Sequence, residues 1–349
     1  MSQKTVFVIG AGASKEVNLP IGSELKKSIR DILTFTGENF YGGPGTGDEI
    51  IANAFQARSR DYQSLVEASV EICKAMPQSL SIDNFLDVRS DNKSIIFCGK
   101  LAIVRTILQA EAQSHLFGEN IDFDQIENTW FNSFFQQLTE NCKPKDLKER
   151  MKSIALIIFN YDRCIEHYLY HALKNYYSLS SEETISLLRY LDIFHPYGVV
   201  GSLPWQTSDN SIQYGGTPQP RQLIELSQQI KTFTEGTDES SSEIKSIRSY
   251  IKSSCRLVFL GFAFHPLNME LLSPTSSSTT PIRERKYIYA TCKDISLNDQ
   301  DHITNDLKER LRINKINEEL VTIEMRAYTC AELFKSYKRG LSFVTKIPY

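Results

Sequence analysis

The chain of 349 residues carries 39 Lys and Arg against 42 Asp and Glu, and 41% of its residues are hydrophobic. This composition is typical of a folded globular protein and excludes wholesale disorder. The near balance of charge, with no dense basic block, argues against direct binding to nucleic acid or to an anionic membrane surface. The length fits one large α/β domain or two ordinary domains.

Hydrophobicity and cysteine usage favour a cytoplasmic protein. No apolar run approaches the roughly 20 residues of a membrane helix, and the first residues lack the basic and then apolar pattern of a signal peptide. The seven cysteines are odd in number and include no Cys-x-x-Cys pair. We therefore expect reduced, mostly buried thiols and no cysteine-based zinc site.

The first apolar run leads into a glycine turn. Residues 5–9 are apolar or β-favouring, and the stretch 10–14 reads Gly-Ala-Gly-Ala-Ser. Small residues let backbone N–H groups approach a phosphate closely, so the turn is a candidate pyrophosphate site. Only the first two glycines of the Gly-x-Gly-x-x-Gly fingerprint are present, and a tight turn without a ligand is the alternative.

Six runs of the sequence are predicted to be strands. They lie at 5–9, 154–159, 191–194, 257–260, 287–290 and 321–325. The uniformly apolar run 154–159 is typical of a strand buried on both faces of a parallel sheet. We predict a Rossmann-like α/β fold with a mostly parallel sheet and a large helical insertion, in a single domain over 1–349.

Between the first two strands the pattern is helical. Ser23 is predicted to cap a helix over 24–34. From about 49 to 150 apolar residues recur at three-to-four spacing, with breaks near 77–83 and 118–124. We expect this insertion to fold as a lobe over one end of the sheet, with a ligand cleft between lobe and sheet. Further helices are predicted at about 163–177 and 304–314.

Three polar or glycine-rich stretches are predicted to be loops. The stretch 37–48 is rich in glycine but lacks the Gly-Lys-Ser/Thr ending of a phosphate-binding P-loop. The stretches 235–243 and 273–281 are rich in Ser and Thr and are most simply solvated loops. Because 273–281 follows a strand of the candidate site, a lid over that site is the alternative.

Small or polar residues follow four of the predicted strands. They are the stretches 10–14, 160–162, 195–198 and 261–265. Ligands of an open α/β sheet bind beyond the carboxyl ends of the strands. The sequence therefore predicts one shared ligand site at this edge.

These stretches resemble, in order and spacing, the motifs of the sirtuin-like family of NAD-consuming proteins. The stretch 10–14, followed after three residues by Asn-Leu-Pro at 18–20, resembles the family's Gly-Ala-Gly-x-Ser and Gly-Ile-Pro. Asn-Tyr-Asp at 160–162 resembles its Asn-Ile-Asp, and His195 with Gly198 resembles its His-Gly. The pair Gly261 and Phe262 is similar to the turn that meets the adenosine.

Two departures separate the chain from sirtuin deacylases. After the proline those enzymes carry Asp-Phe-Arg, where this chain has Ile-Gly-Ser at 21–23, and they carry a four-cysteine zinc ribbon that is absent here. Both argue against acyl-lysine chemistry. What remains resembles the divergent sirtuin-like branch of bacterial anti-phage systems, which hydrolyses NAD. The stretch 81–86 is similar to part of the helical lobe in that branch.

The resemblance implies roles for individual residues. Asn160 would orient the attacking water and the ribose, Asp162 would bind the nicotinamide carboxamide, and His195 would take a proton near neutral pH. No metal is expected, and NAD is the substrate. The nucleotide-binding residues implied are Gly10, Ala11, Gly12, Ser14, Pro20, Gly261 and Phe262.

Each role has a structural alternative. Asp162 also suits the cap of the following helix, Asn160 a turn at a strand end, and His195 a core histidine. His265 fits either a site contact or an ordinary His-Pro turn. The histidines at 167 and 171 have a metal-compatible i, i+4 spacing, but without a third ligand we expect a packing or surface pair.

The resemblance predicts an NAD⁺ glycohydrolase that gives nicotinamide and ADP-ribose and acts as an abortive-infection effector against phage. It also implies a homo-oligomer, with a HerA-like ATPase as a candidate partner. Two alternatives stay open: an ADP-ribosyl transferase or residual deacylase, and a non-catalytic subunit that senses NAD or ADP-ribose.

Overall fold

The computed structural model describes residues 4–35, 47–206, 209–236, 241–273 and 284–344. Within them six parallel strands form one sheet. The strands are β1 Thr5–Ile9, β2 Ile154–Ile158, β3 Asp192–Phe194, β4 Arg256–Leu260, β5 Lys286–Thr291 and β6 Val321–Arg326. All the predicted strands are confirmed, to within one residue at either end.

The order of the strands across the sheet is β3-β2-β1-β4-β5-β6. The chain adds β2 and β3 on one side of β1 and then returns to add β4, β5 and β6 on the other side. In a Rossmann-like order of this kind a crevice forms at the carboxyl ends of β1 and β4, where the direction reverses. The predicted fold class is confirmed. Strands β1, β2 and β4 are buried along their whole length, as expected when helices cover both faces.

Helices form the rest of the regular structure. In chain order they are α1 Ala11–Ser14, α2 Gly22–Leu33, α3 Glu49–Gln56, α4 Tyr62–Ala75, α5 Ile82–Val88, α6 Lys93–Ala112, α7 Trp130–Thr139, α8 Leu147–Lys152, α9 Cys164–Tyr177, α10 Ser181–Leu188, α11 Pro220–Ser227, α12 Phe233–Gly236, α13 Ser242–Ser253, α14 Pro266–Leu272, α15 Leu297–Arg310, α16 Cys330–Ser336 and α17 Lys338–Leu341. Short 3-10 helices lie at Lys15–Val17, Pro144–Asp146 and Glu318–Leu320. Among the residues described, no helix combines the length and the apolar character needed to cross a membrane.

Two predicted helix starts are wrong. Ser23 lies inside the first turn of α2 and does not cap it, because the Glu24 carboxylate accepts the Ile21 N–H at 3.0 Å and closes that end. Helix α15 begins well before the predicted residue 304, since the Ser296 side chain caps it. Most of the predicted loops at 37–48 and 273–281, with the lid proposed for the second, lies outside the described residues, as do residues 237–240.

The predicted insertion is helical, and its helices α3 to α8 differ in what they contact. Helix α6 is apolar on most sides and packs against α2, α4 and α11, as expected of a buried helix. Helix α7 lies on the sheet itself, where the Phe134 ring meets Phe7 of β1 edge-on with centroids 5.2 Å apart. Helices α5 and α6 reach the carboxyl ends of the strands, as the contacts below establish.

A buried ion pair ties the insertion to the end of β2. The side chains of Arg163 and Glu111 are 1% and 0% exposed, and the Arg163 Nε donates to a Glu111 oxygen at 3.1 Å. Other guanidinium hydrogens go to the second Glu111 oxygen and to backbone carbonyls, among them those of Ile212 at 2.7 Å and Gln213 at 3.1 Å. Glu111 also accepts the Gly215 N–H at 2.9 Å. One pair therefore joins α6, the residue before α9, and the segment before α11.

We expect Glu111→Gln to lower the free energy of unfolding by about 3–5 kcal/mol, because it leaves the Arg163 charge buried without its partner. Urea denaturation of both proteins measures the change. The matched control is Glu149→Gln, which removes the same charge from a solvent-exposed contact with Lys152 and leaves the midpoint unchanged. Equal effects of the two substitutions would contradict this account.

Candidate active site

The glycine turn after β1 packs directly against the turn after β4. The Gly10 N–H donates to the Leu260 carbonyl at 2.9 Å, and the Gly12 N–H donates to the Gly261 carbonyl at 3.0 Å. A Cβ at Gly10 would lie 2.5 Å from that Gly261 oxygen. Gly261 has a φ of 55°, in the left-handed region that favours glycine. Close backbone packing therefore requires these glycines whatever ligand binds.

The residues that follow the turn are helical. Ala11 and Ser14 open and close the single turn of α1, and the 3-10 helix after it ends at Asn18, whose φ is 72°. Pro20 lies half-buried just before α2. The single turn of α1 ends with the Ser14 side chain beside the end of β2, where it contacts Asn160 and Asp162.

Three of the predicted site residues form one hydrogen-bonded chain. The Asn160 amide nitrogen donates to the Ser14 Oγ at 3.1 Å, and the Ser14 hydroxyl donates to an Asp162 oxygen at 2.8 Å. Ser14, Asn160 and Asp162 are 3%, 7% and 5% exposed. The ends of β1 and β2 are therefore joined by side chains that sequence reasoning assigned to different roles.

Asp162 bonds both to the start of a helix and to a neighbouring residue of the candidate site. Its second oxygen accepts the Cys164 N–H at 3.1 Å at the start of α9, so the carboxylate contributes to capping the helix while it holds Ser14. Burial raises the pKa of Asp162, and the hydrogen bonds from Cys164 and Ser14 oppose that rise. Capping and a site contact are thus compatible at this residue.

His195, at the end of β3, contacts two acceptors. Its Nε2 lies 2.6 Å from a Glu166 carboxylate oxygen, and its Nδ1 lies 3.4 Å from the backbone oxygen of Asn160. Burial by itself lowers the pKa of His195, but the Glu166 carboxylate, the Asn160 carbonyl and the Asp162 charge together outweigh burial, and the pKa is raised above its ordinary value of 6.5. The ring therefore lies between the Asn160 backbone on one side and the Glu166 carboxylate on the other.

Glu166 was missed by the sequence analysis. It lies in the first turn of α9 and is 3% exposed. Sequence reasoning reads an acid there as a favourable charge at a helix N-terminus, and only its contact with His195, 29 residues further on, reveals a second role. Its other carboxylate oxygen is buried and has no hydrogen-bond partner within the described part of the chain.

Two residues that alternate with Asn160 and Asp162 along the chain, Tyr161 and Arg163, bond to the insertion. The Tyr161 hydroxyl donates to the carboxylate of Asp83 on α5, and Arg163 pairs with α6 as described above. Asp83 belongs to the stretch 81–86 that resembled the helical lobe of the defence family. Asn160 and Asp162 thus contact Ser14 after β1, whereas residues 161 and 163 contact the insertion.

The structure gives two other candidates packing roles. The Phe262 side chain is 3% exposed and meets the Phe159 ring at 5.0 Å between centroids, so it belongs to the core. His265 stacks on Phe233 at 5.4 Å, and its Nδ1 accepts the Leu267 N–H at 3.4 Å as the cap of α14. A nucleotide contact at residue 262 would therefore come from its backbone.

Two cavities, of about 430 and 340 Å³, lie elsewhere, and none of the predicted site residues lines them. The smaller one contains His167 and His171. The His167 ring stacks on Tyr214 at 4.1 Å, and burial lowers the pKa of His167 to about 3, which supports the packing interpretation of this pair. In the described ranges no group of three or more His, Cys, Asp or Glu side chains is arranged to hold a metal, and all seven cysteines are free thiols.

No protein-family model matches the chain, and no curated protein matches it significantly.

We expect Gly10→Ala to destabilise the protein by about 1–3 kcal/mol through overpacking at the turn after β4. Gly22→Ala is the matched control. A Cβ at Gly22 meets no atom within 4 Å, and alanine favours the helix that starts there. Thermal unfolding of the two variants compares them, and a Gly10 variant as stable as the Gly22 variant would contradict the close approach.

Proposed function

We propose that this chain is an NAD⁺ glycohydrolase, which cleaves NAD⁺ with water into nicotinamide and ADP-ribose. The observation that carries the proposal is the buried chain of Asp162, Ser14 and Asn160 beside His195. It joins the carboxyl ends of β1 and β2, next to the crevice between β1 and β4 at which sheets of this order bind nucleotides. The resemblance of the same residues to sirtuin-like motifs supports the same reaction.

In the proposed reaction the bond between C1′ of the ribose and the nicotinamide nitrogen breaks, and its electron pair leaves with nicotinamide. A water oxygen forms the new bond to C1′, and the proton that this water loses passes to His195. Positive charge develops on the ribose, as in glycoside hydrolysis, so preorganised polar groups near C1′ lower the barrier. No step requires a metal.

Two polar side chains orient the substrate in this proposal. Asn160 positions the water and the ribose, and Asp162 accepts a hydrogen bond from the nicotinamide carboxamide. Ser14 joins the two and keeps them in register. The amide groups of the glycine turn that are not bonded to the turn after β4 bind the pyrophosphate.

Access to these groups is a separate requirement. Because Ser14, Asn160 and Asp162 are at most 7% exposed, NAD⁺ reaches them only when segments at the strand ends move apart. We therefore place the active enzyme in an assembly, either a homo-oligomer or a complex with a HerA-like ATPase in the cytoplasm, that acts as an antiviral effector.

The test is to incubate the full chain with NAD⁺, alone and with a HerA-like subunit, and to separate the products. We expect free nicotinamide and ADP-ribose. His195→Ala should lower the rate of NAD⁺ cleavage by about 10²–10⁴-fold, the usual contribution of a positioned acid or base. Asn160→Ala should abolish the release of both products, because it removes the side chain that orients the attacking water.

His265→Ala is the matched control, because it removes another strand-end histidine that caps α14 and stacks on Phe233. It should retain activity. If nicotinamide appears only when a protein acceptor is added, the chain is an ADP-ribosyl transferase and the hydrolase proposal fails.

A non-catalytic subunit that senses NAD⁺ is the second candidate. It is favoured by one observation: both ring nitrogens of His195 face protein acceptors, so a water that reaches the ring must displace the longer of the two contacts, that of Nδ1 with the Asn160 carbonyl. Titration calorimetry separates the two candidates. Binding of NAD⁺ without any release of nicotinamide, in every assembly state, would replace the hydrolase by the sensor.

A further inference from the structure

The contact between Glu166 and His195 has the geometry of a charge-assisted hydrogen bond. The distance of 2.6 Å between the Glu166 oxygen and the His195 Nε2 is slightly shorter than the roughly 2.7–2.9 Å usual for charged N–H···O pairs. The two side chains are 3% and 13% exposed, so water competes little for either group. Glu166 on α9 is thereby fixed to the end of β3.

The other ring nitrogen is less firmly held. The Nδ1 of His195 lies 3.4 Å from the Asn160 carbonyl oxygen, beyond the roughly 2.7–3.2 Å of an ordinary N–H···O bond. A neutral imidazole carries one N–H, and the nitrogen nearest a carboxylate keeps it. The lone pair of the neutral ring is then at Nδ1, next to Asn160.

Two acids face His195 from the elements around it. Glu166 acts from α9 and Asp162 from the end of β2, and both favour the protonated ring. The second Glu166 oxygen has no hydrogen-bond partner in the described ranges, which leaves His195 as the group that compensates this buried carboxylate. Loss of the Glu166 charge should therefore act chiefly on the histidine.

We propose that Glu166 is a positioning residue, which orients the His195 ring through Nε2 and assigns to Nδ1 the exchange of the proton with the attacking water. The arrangement follows the logic of an acid that orients a histidine base in hydrolytic triads. The kinetic part rests on the proposed function, whereas the coupling of the two side chains does not.

The first test follows His195 in the full-length protein by ¹H–¹⁵N correlation spectra of the imidazole nitrogens, with His195→Gln to assign its signals among the six histidines. In the wild type we expect the titration midpoint of His195 to lie above 6.5. At a pH above that midpoint we expect a neutral ring protonated at Nε2. Glu166→Gln should lower the midpoint, since it removes the charge that favours the imidazolium.

Glu183→Gln is the matched control. Glu183 also occupies the third position of a helix, α10, where it closes a capping box with Ser180. If Glu166 acts only as a favourable charge at a helix N-terminus, the two variants lose similar stability and neither moves the His195 titration. The proposal requires a shift in the Glu166 variant alone.

The second test is the pH profile of NAD⁺ cleavage. A base must be neutral to accept a proton, so wild-type activity falls as the pH drops through the raised pKa of His195. In Glu166→Gln that fall should move to lower pH, with kcat reduced at least about tenfold, within the range of acid–base catalysis, and with KM little changed.

The outcomes separate the coupling of Glu166 to His195 from the proposed cleavage of NAD⁺. Equal His195 titrations in wild type and Glu166→Gln overturn the proposal, and so does a wild-type midpoint at or below 6.5, which needs no variant to fold. If the chain does not cleave NAD⁺ but the titration shifts as expected, the coupling stands and only the proposed function fails.

Discussion

The buried ion pair of Arg163 and Glu111 constrains the whole carboxyl edge of the sheet. Charges removed from water to this extent are tolerated only when their geometry is good and further hydrogen bonds satisfy both groups. Here the carbonyls before α11 and the Gly215 amide do so. Because every partner is needed, the end of β2, the last turn of α6 and the segment before α11 adopt one arrangement together. The site is built on the residues that this arrangement immobilises.

Within that arrangement neighbouring residues serve different partners. Asn160 and Asp162 reach Ser14 across the sheet edge, whereas Tyr161 between them reaches Asp83 on the insertion. Covalent neighbours cannot move independently over such a short distance. The contacts of α5 and α6 therefore help to fix the backbone from which the side chains of the candidate site project.

The sequence allowed the strands and their convergence to be predicted, because apolar runs bounded by glycine and polar residues are local patterns. It did not allow the pairing of Glu166 with His195 or of Asp83 with Tyr161 to be predicted. Each pair joins residues that are distant in sequence, and the local pattern around Glu166 and Asp83 suggests only a helix start. The sequence also could not show where the Phe262 side chain lies. Its place in a turn suggested a ligand contact, and the structure shows the ring buried in the core against Phe159.

The packing of the glycine turn and the burial of the polar chain both limit access of a ligand to the carboxyl edge of the sheet. Close packing of Gly10 and Gly12 against Gly261 brings β1 and β4 together at the switch point, and the amides used there are no longer available to a phosphate. The polar chain is buried as well. A nucleotide bound as proposed would have to replace some of these contacts with its own, and the cost of opening them would reduce its binding free energy. In the proposed assembly, an edge held open would remove that cost.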